Sequence, residues 1–105
     1  MNPVEDREPE VTAKAKDLLE KLRAGGLGPA DFALLRAGFY ANVLRLAETI
    51  KPLGPLQAMQ LLERSELGDD RIYRYRALLG DRPFIYRIGF APDGRISAFG
   101  LVPTQ

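Results

Sequence analysis

Ile72-Tyr-Arg-Tyr-Arg-Ala-Leu-Leu79, then Gly80-Asp81, then Phe84-Ile-Tyr-Arg-Ile-Gly-Phe90 is the stretch that decides the fold. In the first segment Tyr73, Tyr75 and Ala77 alternate with Ile72, Arg74, Arg76 and Leu78. In the second, Phe84, Tyr86, Ile88 and Phe90 take every other position. A period of two in aromatic and β-branched residues marks strands that cover something with one face. Gly80 stands first in the two-residue connection, where a type II′ hairpin turn requires a positive φ. Closing that turn sets Ala77 opposite Phe84, Tyr75 opposite Tyr86 and Tyr73 opposite Ile88. The apolar residues then share one face, and a slip of one residue would scatter them.

The pattern extends in both directions. After Pro92-Asp93-Gly94, which suits a type I turn closed by a left-handed glycine, Ile96, Ala98, Gly100 and Val102 alternate again. This three-residue turn predicts Phe90 opposite Ile96, Ile88 opposite Ala98 and Phe84 opposite Val102. Upstream, residues 56–66 (Leu-Gln-Ala-Met-Gln-Leu-Leu-Glu-Arg-Ser-Glu) have helical propensity. Read as a strand turning at Leu67-Gly-Asp-Asp70, they place Leu62 opposite Tyr75 and Glu63 opposite Arg74, a core pair beside an ion pair. The strand is the expected state, because the helical faces upstream need a broad sheet.

Those faces are plain in the first half. Val11, Ala15, Leu18, Leu19 and Leu22 form one helical stripe that starts near Pro9 and stops at Gly25-Gly26. A second helix is expected from Pro29, carrying Phe32, Leu35, Phe39, Val43, Leu46 and Ile50 to Lys51-Pro52, with Gly38 kinking or dividing it. The expected fold is α+β: two helices, or three if Gly38 divides the second, packed on one face of a four-stranded antiparallel meander. Residues 1–8 read as a flexible lead, and 9–105 as a single domain without internal repeats.

Composition narrows the chemistry. The 105 residues are 46% hydrophobic and 28% charged, enough for one domain with a real core. With no Cys, there are no disulfides, thiolate nucleophiles or zinc fingers; with no His, the usual triads and most transition-metal sites go too. No cofactor and no metal is expected. Fifteen basic residues against fourteen acidic ones give +1, too balanced to imply a nucleic-acid partner. Tyr73 and Tyr75 also point away from Arg74 and Arg76, so the Tyr-Arg-Tyr-Arg run does not combine stacking with phosphate contact. The polar start of the chain and the lack of a long apolar run place it in the cytoplasm as written, away from membranes. It would be periplasmic or secreted if a signal or parent domain had been removed.

The wording of Leu22-Arg-Ala-Gly25, Pro29-Ala-Asp-Phe32, Leu53-Gly-Pro-Leu56, residues 64–76 and Pro92-Asp-Gly-Arg-Ile96 resembles a small bacterial module. That module belongs to the cystatin-like, or nuclear-transport-factor-two-like (SnoaL-like), α+β folds and is often appended to serine hydrolases of the β-lactamase type. The resemblance covers most of the chain from residue 10 and implies an accessory module with a helix-wrapped curved sheet and no chemistry of its own. Larger members of the superfold are isomerases, dehydratases and cyclases with an Asp, Tyr or His inside a deep cone. This shorter chain lacks the His and several closing elements, and a shared fold does not transfer function.

Two candidate sites follow from the registers. The sheet face turned away from the helices is expected to carry Met59, Leu61 and Glu63, then Ile72, Arg74, Arg76 and Leu78, then Ile85 and Arg87, then Ser97, Phe99 and Leu101. So many large apolar residues beside three arginines predict a cover: a second copy making a homodimer, a neighbouring domain, or a peptide. Shielding by the C-terminal tail or an edge loop is the other reading. Arg74 and Arg87 oppose each other with Arg76 nearby; they would hold a phosphate or a partner's carboxylate, or be neutralised by Glu63 and Glu66 as a surface network. Tyr40, Tyr73, Tyr75 and Tyr86 would line a small-molecule pocket between the second helix and the sheet, or else fill the core with hydroxyls at its rim. Asp31 suits a helix start, and Asp69, Asp70 and Asp93 suit turns rather than calcium. The primary expectation is a non-catalytic interaction module acting through the outer face. The rival is a ligand binder or weak enzyme using the tyrosine pocket.

Overall fold

Glycine-opened turns let this chain double back three times. The computed structural model describes residues 2–33 and 38–104. Strands β1 (Leu56–Leu67), β2 (Asp70–Leu79), β3 (Arg82–Phe90) and β4 (Ile96–Pro103) form one antiparallel sheet in chain order. Gly68 and Gly80 open two-residue turns at φ 61° and 59°, and no residue other than glycine has positive φ, so both are of the II′ kind. The β2–β3 register is the expected one, with Ala77, Tyr75 and Tyr73 opposite Phe84, Tyr86 and Ile88. Residues 56–66 are indeed strand, and Glu63 lies opposite Arg74.

Helix α1 (Pro9–Ala24) begins with Pro9, whose missing N–H costs nothing in a first turn, and ends where Gly25 turns left-handed at φ 78°. Ala15, Leu18, Leu19 and Leu22 are its buried stripe. Each such leucine taken from water contributes about 1.5–3 kcal/mol, which is what holds the helix to the sheet.

The second helix starts later than the periodicity predicts. Pro29–Asp31 is a single 3-10 turn, and Phe32 leaves it in extended conformation to bridge Ile96 on β4. Helix α2 (Phe39–Ile50) begins only after Gly38, left-handed at φ 80°, so Gly38 divides rather than kinks. The break lets Phe32 turn its ring into the core, edge-on to Phe39 at 5.6 Å, which a continuous helix would forbid. Leu35 lies outside the described residues. Val43, Ala47 and Ile50 of α2 join α1 and the tyrosines of the sheet in one core.

Two bulges change which residues face that core. In β4, Phe90 lies opposite Ile96 as expected, but Ile88 lies opposite Phe99 and Phe84 opposite Pro103. Ser97 is the extra residue, and beyond it every side chain changes face. Phe99 and Leu101, expected outside, therefore point inward, and the Phe99 ring meets Tyr86 at 5.5 Å. The driving force is size: the slip exchanges Ala98 and Gly100 for two large apolar side chains on the buried face. In β1 the bulge is at Leu62. Leu61, not Leu62, lies opposite Tyr75, so Leu61 and Met59 also belong to the helix side.

Candidate functional site

With the bulges in place, the outer face has rows that run across all four strands. One row is Glu63, Arg74, Arg87 and Gly100; the next is Gln60, Arg76, Ile85 and Val102; the last holds Ala58, Leu78 and Pro83. Of the eight residues expected at an interface, Arg74, Arg76, Leu78, Ile85 and Arg87 are here. Leu61, Phe99 and Leu101 are not, having turned into the core. Val102, expected inside, is instead 62% exposed on this face. The surface is thus smaller and more cationic than alternation alone implies.

Arg74 and Arg87 are direct partners in the β2–β3 ladder, an unfavourable pairing of like charges. Glu63 stands on the other side of Arg74, with its carboxylate 3.9 Å from the guanidinium. Glu66, the other expected neutraliser, goes to Arg64 at 3.1 Å. Arg87 makes no ion pair among the described residues. One carboxylate at the edge of its reach therefore serves two opposed guanidiniums.

The tyrosines occupy the opposite face, and α1 rather than α2 covers three of them. Tyr86, wholly buried, donates its hydroxyl to the Ala15 carbonyl at 2.9 Å. Tyr75 shares a hydrogen bond with Thr12 at 3.0 Å, and Tyr73 donates to Glu8 at 2.9 Å. Tyr40 stands apart beside Phe32 and donates to the Leu27 carbonyl at 2.8 Å. Burial pushes the Tyr75 hydroxyl up to about 12, despite the opposing bond from Thr12, and holds that of Tyr86 well above 10. A phenol that resists ionising, with its hydroxyl already bonded, is poorly suited to proton transfer near neutral pH. These rings act as packing and as anchors for the helix.

The residues that tie the lead down escaped the pattern reading. Val4 donates its N–H to the Leu61 carbonyl at 2.9 Å, on the open edge of β1. Asp6 accepts from Glu8 N–H at 2.9 Å and from the Thr12 hydroxyl at 2.6 Å. Glu8 receives both Tyr73 and Arg64, and the Arg64 guanidinium lies over the Tyr73 ring, 5.7 Å from its centre. Partial burial favours the protonated Glu8, but the bonds from Tyr73 and Arg64 and the charges of Arg64 and Arg71 outweigh it and hold the carboxyl below its usual range. The Asp6-Arg-Glu-Pro9 stretch gave one local signal, an Asx turn leading into a proline-started helix. Arg64 and Tyr73 gave none, since they lie far off in sequence.

The remaining acids are structural. Asp31 accepts the Gly28 N–H at 2.8 Å, and Asp93 takes the backbone N–H and guanidinium of Arg95 at 2.9 and 2.7 Å. Among the described residues no cluster of acids could hold a metal ion, and no helix is long and apolar enough to cross a membrane. The chain matches no family model, no curated protein and no solved structure. What it does has to be read from its side chains.

Proposed function

We propose that this chain is a non-catalytic accessory module whose outer sheet face docks, weakly and reversibly, on an acidic and partly apolar surface of another protein. The observation that carries the reading is the opposition of Arg74 and Arg87 across the ladder, next to half-exposed Leu78 and Ile85 and exposed Val102. An incoming carboxylate between the two guanidiniums relieves their repulsion and accepts charge-assisted hydrogen bonds. The apolar rows beside it supply burial.

Size sets the strength. Three rows about 6.8 Å apart over four strands about 4.8 Å apart span about 400 Å². That is about half the area one partner contributes to a stable complex, so the contact fits a transient association. Charge sets the partner. A second copy on a two-fold axis would bring three arginines against three, with one Glu63 from each side, which favours a foreign acidic surface over self-association. The resemblance to accessory modules of serine hydrolases agrees with this role. The tyrosine cluster lends a ligand pocket no support, because its hydroxyls are bonded and its rings are packed.

The test is a nuclear magnetic resonance titration with a synthetic peptide of alternating Glu and Val, at low and high salt. Saturable shifts centred on Arg74, Arg76, Ile85 and Val102, lost at high salt and in Arg74→Glu/Arg87→Glu, are the expected result. Light scattering should give a monomer throughout. Absence of saturable shifts, shifts confined to the sheet edges, or a stable dimer abolished by the double substitution would each overturn the reading.

A further inference from the structure

On the opposite side of the molecule, α1 and the β3–β4 turn touch at one end and separate at the other. They meet where Lys14 donates to the Gly94 carbonyl at 2.6 Å, its ammonium 4.7 Å from the centre of the Phe90 ring. Beyond that strut a hollow of about 720 Å³ opens between the second half of α1, the Pro29–Asp31 turn and the hairpin. A volume of that order is the range in which small ligands are held. Leu18 and Ile96 floor it, and Ala24 and Ala30 line its sides.

Its charges can be sorted by what they already do. Glu20 holds Arg23 and the Leu56 N–H, Asp31 holds the Gly28 N–H, and Arg95 is held by Asp93. Lys14 spends one of its three donors on Gly94. Lys21 and Asp17 have no bond or ion pair among the described residues. Two ammonium groups with donors to spare therefore face one uncommitted carboxylate, over an apolar floor. Lys14, Asp17, Leu18 and Lys21 fall on one stripe of α1, which sets cation, floor and cation in line along the groove.

We infer that this groove binds a small carboxylate with an apolar tail. Its head lies between Lys14 and Lys21, and its chain lies on Leu18 and Ile96. An anion bearing no tail would gain only exposed ion pairing, worth little in water, so the tail supplies the affinity and the lysines the orientation. The site is separate from the outer sheet face, and the two readings stand or fall independently. Asp17 opposes the head, which gives the site a distinctive signature: removing that one carboxylate strengthens binding.

Octanoate is the probe, with hexanoate and acetate as length controls, followed by shifts of the backbone signals of the whole chain. Expected are saturable shifts at Leu18, Lys21, Gly94 and Ile96, with affinity rising up to about fourfold per added methylene. Asp17→Asn should tighten octanoate severalfold, and Lys21→Glu should weaken it about tenfold. Ala30→Trp, which fills the hollow from an exposed position, should abolish binding in a folded protein. Equal responses to acetate and octanoate, shifts centred on the outer sheet face, weaker binding in Asp17→Asn, or no saturation at all would overturn the assignment.

Discussion

The two faces of this sheet are made by the same residues in alternation, yet they are built on opposite terms. On the inner face Tyr73, Tyr75 and Tyr86 stand in adjacent strands, almost without exposure, each hydroxyl bonded to α1 or to the residues just before it. On the outer face, Arg74 and Arg87 stand one position away and repel each other. The inner face binds the molecule to itself. The outer face leaves an electrostatic conflict for something else to resolve. A polar tip among buried rings is stable because its partner is fixed, whereas a pair of like charges in water costs little and stays available.

That contrast can be broken most severely from the inside. Tyr86→Ala should cost about 3–5 kcal/mol, read as a lower urea midpoint, because it empties the centre of the core and frees the Ala15 carbonyl. A loss below about 1 kcal/mol would mean that the face collapses around the cavity.

The next effect is smaller and depends on pH. Tyr75 titrates near 10 when unfolded and, held by burial, at about 12 when folded. Its folded pKa is the raised one, so its contribution is whole below pH 10 and is lost as pH rises toward 12. Tyr75→Phe should therefore lose less stability than the parent chain between those limits, as measured by urea unfolding at a series of pH values. An unchanged slope would assign the alkaline loss to other groups, Tyr86 among them.

The outer face should scarcely respond. Arg87→Glu is expected to leave stability unchanged or raise it by up to about 0.5 kcal/mol, since it replaces a repulsion with a cross-strand pair to Arg74. Thermal unfolding measures it directly. A loss beyond about 1 kcal/mol would show that Arg87 is structural and would bring the two faces closer in kind.

The inner face was also the more legible one. The β2–β3 pairing followed from alternation and one glycine, because a two-residue turn leaves no freedom in register. At β1 and β4, alternation counts positions and cannot see an inserted residue, so Leu62 and Ser97 each displaced what followed. The signal was present in side-chain volume: Phe99 and Leu101 outweigh Ala98 and Gly100, and the strand slips to bury the larger set. Gly89 shows the same pressure, since a Cβ there would lie 2.6 Å from Ile72 Cδ1 and 3.1 Å from that of Ala98. The α1 groove was not legible, because Lys14 and Gly94 meet only once the sheet has brought the last hairpin under the first helix.

The reach of those tyrosine hydroxyls has a consequence for how the chain comes into being. Glu8 and Tyr73 are 65 residues apart, and Ala15 and Tyr86 are 71 apart. As the chain leaves the ribosome, α1 emerges first and has nothing to lie against until β3 follows it. Contacts this distant along the chain make for late, all-or-none closure rather than stepwise assembly. A nascent chain cut short before Tyr86 would expose the stripe of Leu18, Leu19 and Leu22 to any chaperone or protease nearby.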